Sequence, residues 1–253
     1  MFLVKVFLRF YNYWLSPEKE FVRRLRKLLG FTPAYLRVFK LAFSHKSNNG
    51  FHDPNAAVNP YGRQNNERLE YLGDAVLGTI VAEYLYKKYP TGDEGFLTKM
   101  RSKIVKRKSL NAIGDDMGLD ELLSTYNNTR IAKSMLGNAV EALVGAVYVE
   151  QGYRKTTRFV VNRMLRDYVD VEQLETYDDN FKSQLLEYCQ KNGKKVDYRI
   201  LKRFKQDKRD RFRVAVTING EKIAVGEDFN KKSAEQQASR RALSKLGVVK
   251  KTG

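Results

Sequence analysis

The sequence predicts two domains of different class, an all-α domain followed by a small domain ordered α-β-β-β-α. Three observations predict this. From about residue 17 to 169 every strong pattern repeats its apolar residues at three- and four-residue spacing. After "VEQLETYDDN" alternation with a period of two takes over. The charge also changes at that boundary: residues 178–253 carry 20 of the 47 Lys and Arg but only 10 of the 29 Asp and Glu.

At 253 residues and 42% hydrophobic content the chain is long enough for one large domain or two, with real cores. A formal charge of +18 favours a polyanionic partner, nucleic acid or an anionic membrane surface. One cysteine, Cys189, excludes an internal disulfide, and two histidines, His45 and His52, are too few for a Cys/His zinc cluster. Any metal site must therefore be built from oxygen.

Taken in order, "MFLVKVFLRFYNYWL" is about 15 residues broken by Lys5 and Arg9, where a spanning helix needs roughly 20 apolar residues. It also lacks a small-residue cleavage site. Residues 1–16 therefore read as an arm or helix packed on the domain in preference to a membrane-surface anchor. The first domain is expected over 17–169, with a helix in "PEKEFVRRLRKLLG" that starts near Pro17 and stops at Gly30. "TPAYLRVFKLAFSHKS" is a second helix, ended by the Asn, Gly and Pro loop "NNGFHDPNAAVNPYGRQ". Further helices are expected at about 65–88, closed by Pro90, and at about 94–113, 130–150 and 153–169. A linker at 170–179 leads to the second domain at 180–248 and a tail at 249–253. In that domain a short helix at 181–192 precedes "VDYRILKRF". "RFRVAVTINGEKIAVG" then puts Phe212, Val214, Val216 and Ile218 on one face before an Asn219-Gly220 turn. A last helix at about 231–246 is capped by Gly247.

Glu67, Glu70 and Asp74 in "NNERLEYLGDAVLG" fall within about 60° on a helix. The same row continues as Leu77, Val81 and Leu85, so it turns inward. In "SMLGNAVEALVGAVYV" Glu141 is the only charged residue among sixteen, with Asn138 one turn before it. A carboxylate left charged and unpaired there costs several kcal/mol, so it needs a cation. Gly73, Ala75 and Gly78 on one helix and Ala142, Gly145 and Ala146 on the other would allow close backbone approach. Contact between these helices would gather Glu70, Asp74, Asn138 and Glu141 into an oxygen cluster suited to magnesium. The residues alone leave two sources of positive charge open, a metal or a Lys or Arg in a structural ion pair.

"NNERLEYLGDAVL" closely resembles the signature of the ribonuclease III family, the double-stranded RNA endonucleases. "GNAVEALVGAVYVEQGY" and "YPTGDEGFLTKMRSKIV" resemble that family's second acidic motif and the segment between the two. Residues 178–247 resemble a double-stranded RNA-binding domain. The resemblance implies an all-α endonuclease domain and an α-β-β-β-α RNA-binding domain, and a cytoplasmic homodimer that cuts both strands of ribosomal RNA precursors and other structured transcripts. Products would carry 5′-phosphates, 3′-hydroxyls and short 3′ overhangs.

By position, the resemblance implies Glu70, Asp74 and Glu141 as catalytic residues and Glu70, Asp74, Asn138 and Glu141 as ligands of Mg2+, for which Mn2+ would substitute. It implies Glu67 and Glu94 as further acids of the active valley and Tyr71 as the dimer contact. Asn138 departs from the family's usual Asp; an amide oxygen ligates without bringing charge. No side-chain nucleophile is needed, and His45 reads better as a helix-end residue than as a general base.

For the duplex, whose A-form shape is gripped across its minor grooves, the resemblance implies Ser183 and Glu187 on the first helix of the small domain. Lys231 and Lys232 sit at the N-terminus of the last helix behind the Asn230 cap, and Lys208 stands in the loop "KQDKRD". Leu186 takes a position where glutamine is common, and that loop lacks the usual Gly-Pro-x-His. A rival reading is a duplex-binding protein that has lost cleavage; only Asn138 favours it. No membrane partner is expected.

Overall fold

The computed structural model describes residues 2–44, 65–127, 131–176, 180–206 and 209–248. It separates into two compact units, Met1–Glu175 and Thr176–Gly253, each with its own core.

The first unit is helical throughout its described residues. It begins with α1 (Phe2–Trp14), α2 (Lys19–Leu29) and α3 (Leu36–Ala42). Gly30 ends α2 at φ 77°, the left-handed geometry that favours glycine. The loop at 48–64, His45 and His52 lie outside the described residues. Two long helices follow, α4 (Glu67–Lys88) and, further on, α8 (Ser134–Gln151). Eleven of the 18 residues of α8 are buried, so it is wrapped by α3, α4 and the helices at Arg107–Asp116, Leu119–Tyr126 and Tyr153–Phe159.

The single helix expected at about 94–113 is two, α5 (Glu94–Val105) and α6 (Arg107–Asp116). Between them Lys106 is extended, at φ −62° and ψ 144°. The Ser109 hydroxyl donates to the Lys103 carbonyl at 2.7 Å, so a side chain takes an acceptor that the helix would otherwise have used. α7 (Leu119–Tyr126), unforeseen from spacing, starts after Gly118 at φ 67°. α9 (Tyr153–Phe159) runs on through a π-helical stretch, Val160–Leu165, and a last turn, Arg166–Tyr168. A short α10 (Val171–Thr176) closes the unit.

The second unit comprises α11 (Phe181–Lys191), β1 (Val196–Gln206), β2 (Arg209–Ile218), β3 (Glu221–Asp228) and α12 (Lys231–Lys245). Its sheet is antiparallel in the order β1-β2-β3. Val196 pairs with Ile218 in the first ladder, and Ile218 with Glu221 in the second across Asn219 and Gly220, both at positive φ. Val214, Val216 and Ile218 are buried, whereas Phe212, further along β2, is only half-buried. Leu185 and Cys189 of α11 meet Ala238, Ala242 and Leu243 of α12 over this sheet.

Candidate active site

The site grows from one helix crossing. A Cβ on Gly73 would stand 1.8 Å from the Glu141 carbonyl oxygen, and one on Gly145 would stand 2.3 Å from that of Leu69. Only hydrogen fits at either place, so α4 and α8 touch backbone to backbone. Of the small residues expected at this contact, Gly78 meets nothing within 4 Å and Ala75 is exposed; they face elsewhere on α4.

Beyond the crossing the helices diverge, and a cleft of about 640 Å³ opens between their polar ends. Glu67, Glu70 and Asp74 from α4 and Asn138 and Glu141 from α8 line it. The row that carries the α4 acids continues into the core as Leu77, Val81 and Leu85, all at most 1% exposed. The helix thus has a wet polar end and a dry apolar one on the same face. Glu67 is steadied by Asn65, whose Oδ1 accepts from the Glu67 backbone N–H at 3.0 Å and whose amide donates to the carboxylate at 3.2 Å.

Two further residues, Asn66 and Arg107, line the cleft without having been singled out from sequence, and Tyr71, expected as the dimer contact, forms a wall. Arg107 reaches it because the chain breaks at Lys106 and restarts as α6. Asn66 is buried, and its Oδ1 has no hydrogen-bond partner.

The electrostatics bear on the two cation sources. Among the described residues four carboxylates face one guanidinium in the cleft. Glu141 is half-buried, and its carboxyl is pushed up to about 7, first by burial, then by Asp74 and Glu70; Arg107 pulls the other way and loses. Arg107 therefore does not offset the charge around Glu141. The raised Glu141 carboxyl, an orphaned amide oxygen on Asn66 and an all-oxygen donor set fit a hard divalent cation. Among the described residues no three Asp, Glu, His or Cys side chains are gathered closely enough to form a metal-holding group by themselves.

Glu94 does not join these residues. It lines a separate cleft of about 560 Å³ with Glu83, Tyr86 and Arg101, and accepts a hydrogen bond from Thr98 at 3.0 Å. Within one chain the expectation that Glu94 shares the valley of Glu70 and Asp74 is not met, because it starts α5 on the far side of the Pro90 turn. Tyr71 leaves 81% of its surface exposed.

In the second unit Asn230 accepts from the Ser233 N–H at 2.8 Å, capping α12 with Lys231 and Lys232 exposed in its first turn. Ser183 is half-buried near the start of α11 and Glu187 is exposed one turn on. Lys208 lies outside the described residues. The β1–β2 ladder adds a feature unforeseen from sequence, arginines laid on aromatic rings: Arg203 over Phe212 at 5.3 Å and Arg211 over Phe229 at 4.7 Å.

Comparison with known proteins agrees with this arrangement. Residues 37–168 match the family described as Ribonuclease-III-like, and residues 181–246 match the double-stranded RNA binding motif. "Ribonuclease 3" of Zunongwangia profunda is 45% identical over 232 residues, covering 91% of this chain and 93% of that protein. The chain belongs to the ribonuclease III family. "Ribonuclease 3" of Flavobacterium psychrophilum is 39% identical over 95% of this chain and 94% of its own length. The solved nuclease domain of ribonuclease III from Campylobacter jejuni is 28% identical, covers 58% of this chain and 98% of its own, and superposes with a TM-score of 0.48. As a ribonuclease III family member the chain pairs a helical nuclease domain with a double-stranded RNA-binding domain.

Proposed function

We propose that this chain is a magnesium-dependent endoribonuclease that hydrolyses both strands of duplex RNA, acting at the cleft between α4 and α8. The observation that carries the reading is the state of Glu141: a half-buried carboxylate whose ionisation is opposed by Asp74 and Glu70 across the helix crossing. Such a group is uncomfortable alone and is relieved by a cation.

Glu70, Asp74 and Glu141 would hold the ion, with the Asn138 amide oxygen as a neutral ligand. Bound there, magnesium supplies Lewis acidity that eases deprotonation of water and offsets charge on the leaving 3′ oxygen. The chain's own residues do the rest. The glycine-mediated contact fixes the spacing of the α4 and α8 carboxylates. Asn66 offers its unpartnered oxygen as an acceptor for water at the cleft wall. Among the described residues Arg107 supplies the one positive side chain in the cleft, suited to a phosphate oxygen. Products with 5′-phosphate and 3′-hydroxyl ends follow from attack by water with the 3′ oxygen leaving.

The exposed Tyr71 beside the cleft supports a homodimer in which it packs into a second copy, with Glu67 and Glu94 as supplementary acids and two centres that leave short 3′ overhangs. Ser183, Glu187, Lys208, Lys231 and Lys232 would meet the minor grooves and the phosphates between them. Ribosomal RNA precursors and structured transcripts in the cytoplasm are the proposed substrates, and manganese would substitute for magnesium.

The test is cleavage of a long RNA duplex in magnesium, with single strands left intact. Glu141→Gln keeps duplex binding and loses cleavage by at least about a hundredfold. Equal cutting by variant and wild type would place the chemistry elsewhere. Binding without cutting by the wild type would establish the rival reading, a duplex-binding protein.

A further inference from the structure

The helix α1 is mounted inside out. Its polar row faces the domain: Lys5 Nζ donates to the Glu150 carbonyl at 2.9 Å, and Arg9 donates to Gln151 Oε1 at 3.2 Å. Arg9 also stands 3.9 Å from the buried Glu150 carboxylate, and Asn12 donates to the carbonyls of Pro33 and Ala34 at 3.0 and 2.9 Å. The opposite face carries Leu3, Phe7, Phe10 and Trp14, exposed by 79, 66, 57 and 58%, with Val4, Tyr11 and Leu15 beside them. A surface helix ordinarily turns its apolar side inward. Here the protein spends polar contacts to hold an apolar strip outward, and contiguous exposed apolar surface of this kind marks an interaction site.

The surroundings of the strip indicate what covers it. No acidic residue occurs in α1. Residues 1–30 hold seven Lys and Arg against Glu18 and Glu20, and those two acids are engaged by Lys40 and Arg24. The guanidiniums of Arg23 and Arg26 lie over the Tyr13 ring, 5.8 and 4.6 Å from its centroid, at the Trp14 end of the strip. There a shallow cavity of about 210 Å³ is walled by Phe10, Tyr13 and Trp14 and carries Arg9, Arg26 and Thr32. An apolar strip rimmed by cations and aromatics complements an anionic bilayer: acyl chains for the strip, phosphates for the arginines. Pairing with a second copy would set one arginine cluster against another, over a helix of 13 residues that spans only about 20 Å. Among the described residues no helix is long and apolar enough to cross a membrane.

We propose that α1 anchors the protein reversibly to anionic lipid surfaces, lying flat with Leu3, Phe7, Phe10 and Trp14 at the headgroup boundary and the exposed Arg23 and Arg26 on lipid phosphates. The sequence set a packed helix against a membrane-surface anchor and expected no membrane partner. The two faces of α1 allow packing and anchoring at once.

Trp14 is the only tryptophan of the chain, so its emission reports on this face alone. With phosphatidylcholine vesicles containing about 30% phosphatidylglycerol, the full chain floats with the vesicles and Trp14 emission shifts to the blue; pure phosphatidylcholine gives neither. Phe7→Ser/Phe10→Ser keeps every charge and weakens flotation by about tenfold or more, with circular dichroism showing that the helices remain. Three results would overturn the proposal. One is no blue shift on anionic vesicles. Another is equal flotation of the double variant, which would assign the attraction to basic surface elsewhere. The last is a concentration-dependent oligomer that the double variant dissolves, which would make a second copy the occupant.

Discussion

The two units handle charge in opposite ways. Among the described residues of the helical unit four carboxylates and one guanidinium share a cleft, and the Glu141 carboxyl is pushed up to about 7. In the smaller unit Lys231 and Lys232 are exposed at a capped helix start, Lys231 3.8 Å from the Glu235 carboxylate. Chemistry needs charge held against its preference so that a cation is drawn in; grip on a polyanion needs only charge that is available and easily stripped of counterions. The units also share a device. Gly73 meets the Glu141 carbonyl where a Cβ would stand at 1.8 Å, and Gly226 of β3 meets the Ala234 carbonyl of α12 where one would stand at 2.2 Å.

The hardest blow to the contrast comes from those glycines. Gly73→Ala must push α4 off α8 and costs roughly 2–4 kcal/mol, removing cleavage while the small unit still binds duplex. Gly226→Ala does the reverse, weakening duplex binding and leaving the unfolding of the helical unit unchanged. Chemical denaturation followed alongside gel-shift and cleavage assays checks both; loss of both functions in either variant would show that the units do not act separately.

Next in size is pH. Below about 7 protons compete with the cation for Glu141, so apparent magnesium affinity falls about tenfold per unit of pH. Metal-free stability runs the other way. The Glu141 value is raised on folding from its ordinary 4.5, so the folded state binds the extra proton between 4.5 and about 7. Stability is full below that window, declines as pH rises through it and is level above. Glu141→Gln should abolish this slope in metal-free denaturation curves; a slope that persists would have another origin. In the basic unit, by contrast, Lys231→Ala/Lys232→Ala should weaken binding to all duplexes alike, several-fold, and flatten the salt dependence by about two counterions. Smallest, Asn138→Asp adds a fifth carboxylate to the cleft and tightens magnesium binding a few-fold; an unchanged titration would remove Asn138 from the ligand set.

Much of this was legible from sequence wherever the deciding interaction is local. Gly30 ends a helix and Asn219-Gly220 makes a hairpin because backbone geometry at those residues admits few alternatives. The acids of α4 share a face by helical arithmetic, and the lone Glu141 in an apolar helix signalled the need for a cation. Other features depend on partners distant in the chain. The break at Lys106 rests on a serine hydroxyl capturing a carbonyl six residues back, and without that break Arg107 would not reach the cleft. Which glycines touch is settled by the crossing point, so Gly73 and Gly145 were separable from Gly78 only in three dimensions. The family resemblance put Glu94 with the other acids, and the fold of one chain sends it to another cleft. The outward apolar face of α1 had no local signal, because its polar row is satisfied by Glu150, Gln151, Pro33 and Ala34.

The crossing of α4 and α8 has a consequence for which ions the proposed site would accept. Two main chains in contact cannot slide closer to suit a smaller ion, and the buried row behind them resists parting for a larger one. Ionic radius is then read by side-chain reach alone. Lengthening Asp74 to Glu or shortening Glu70 to Asp moves one oxygen by a methylene without moving its helix, so preference among alkaline-earth and first-row ions should be tunable one carbon at a time.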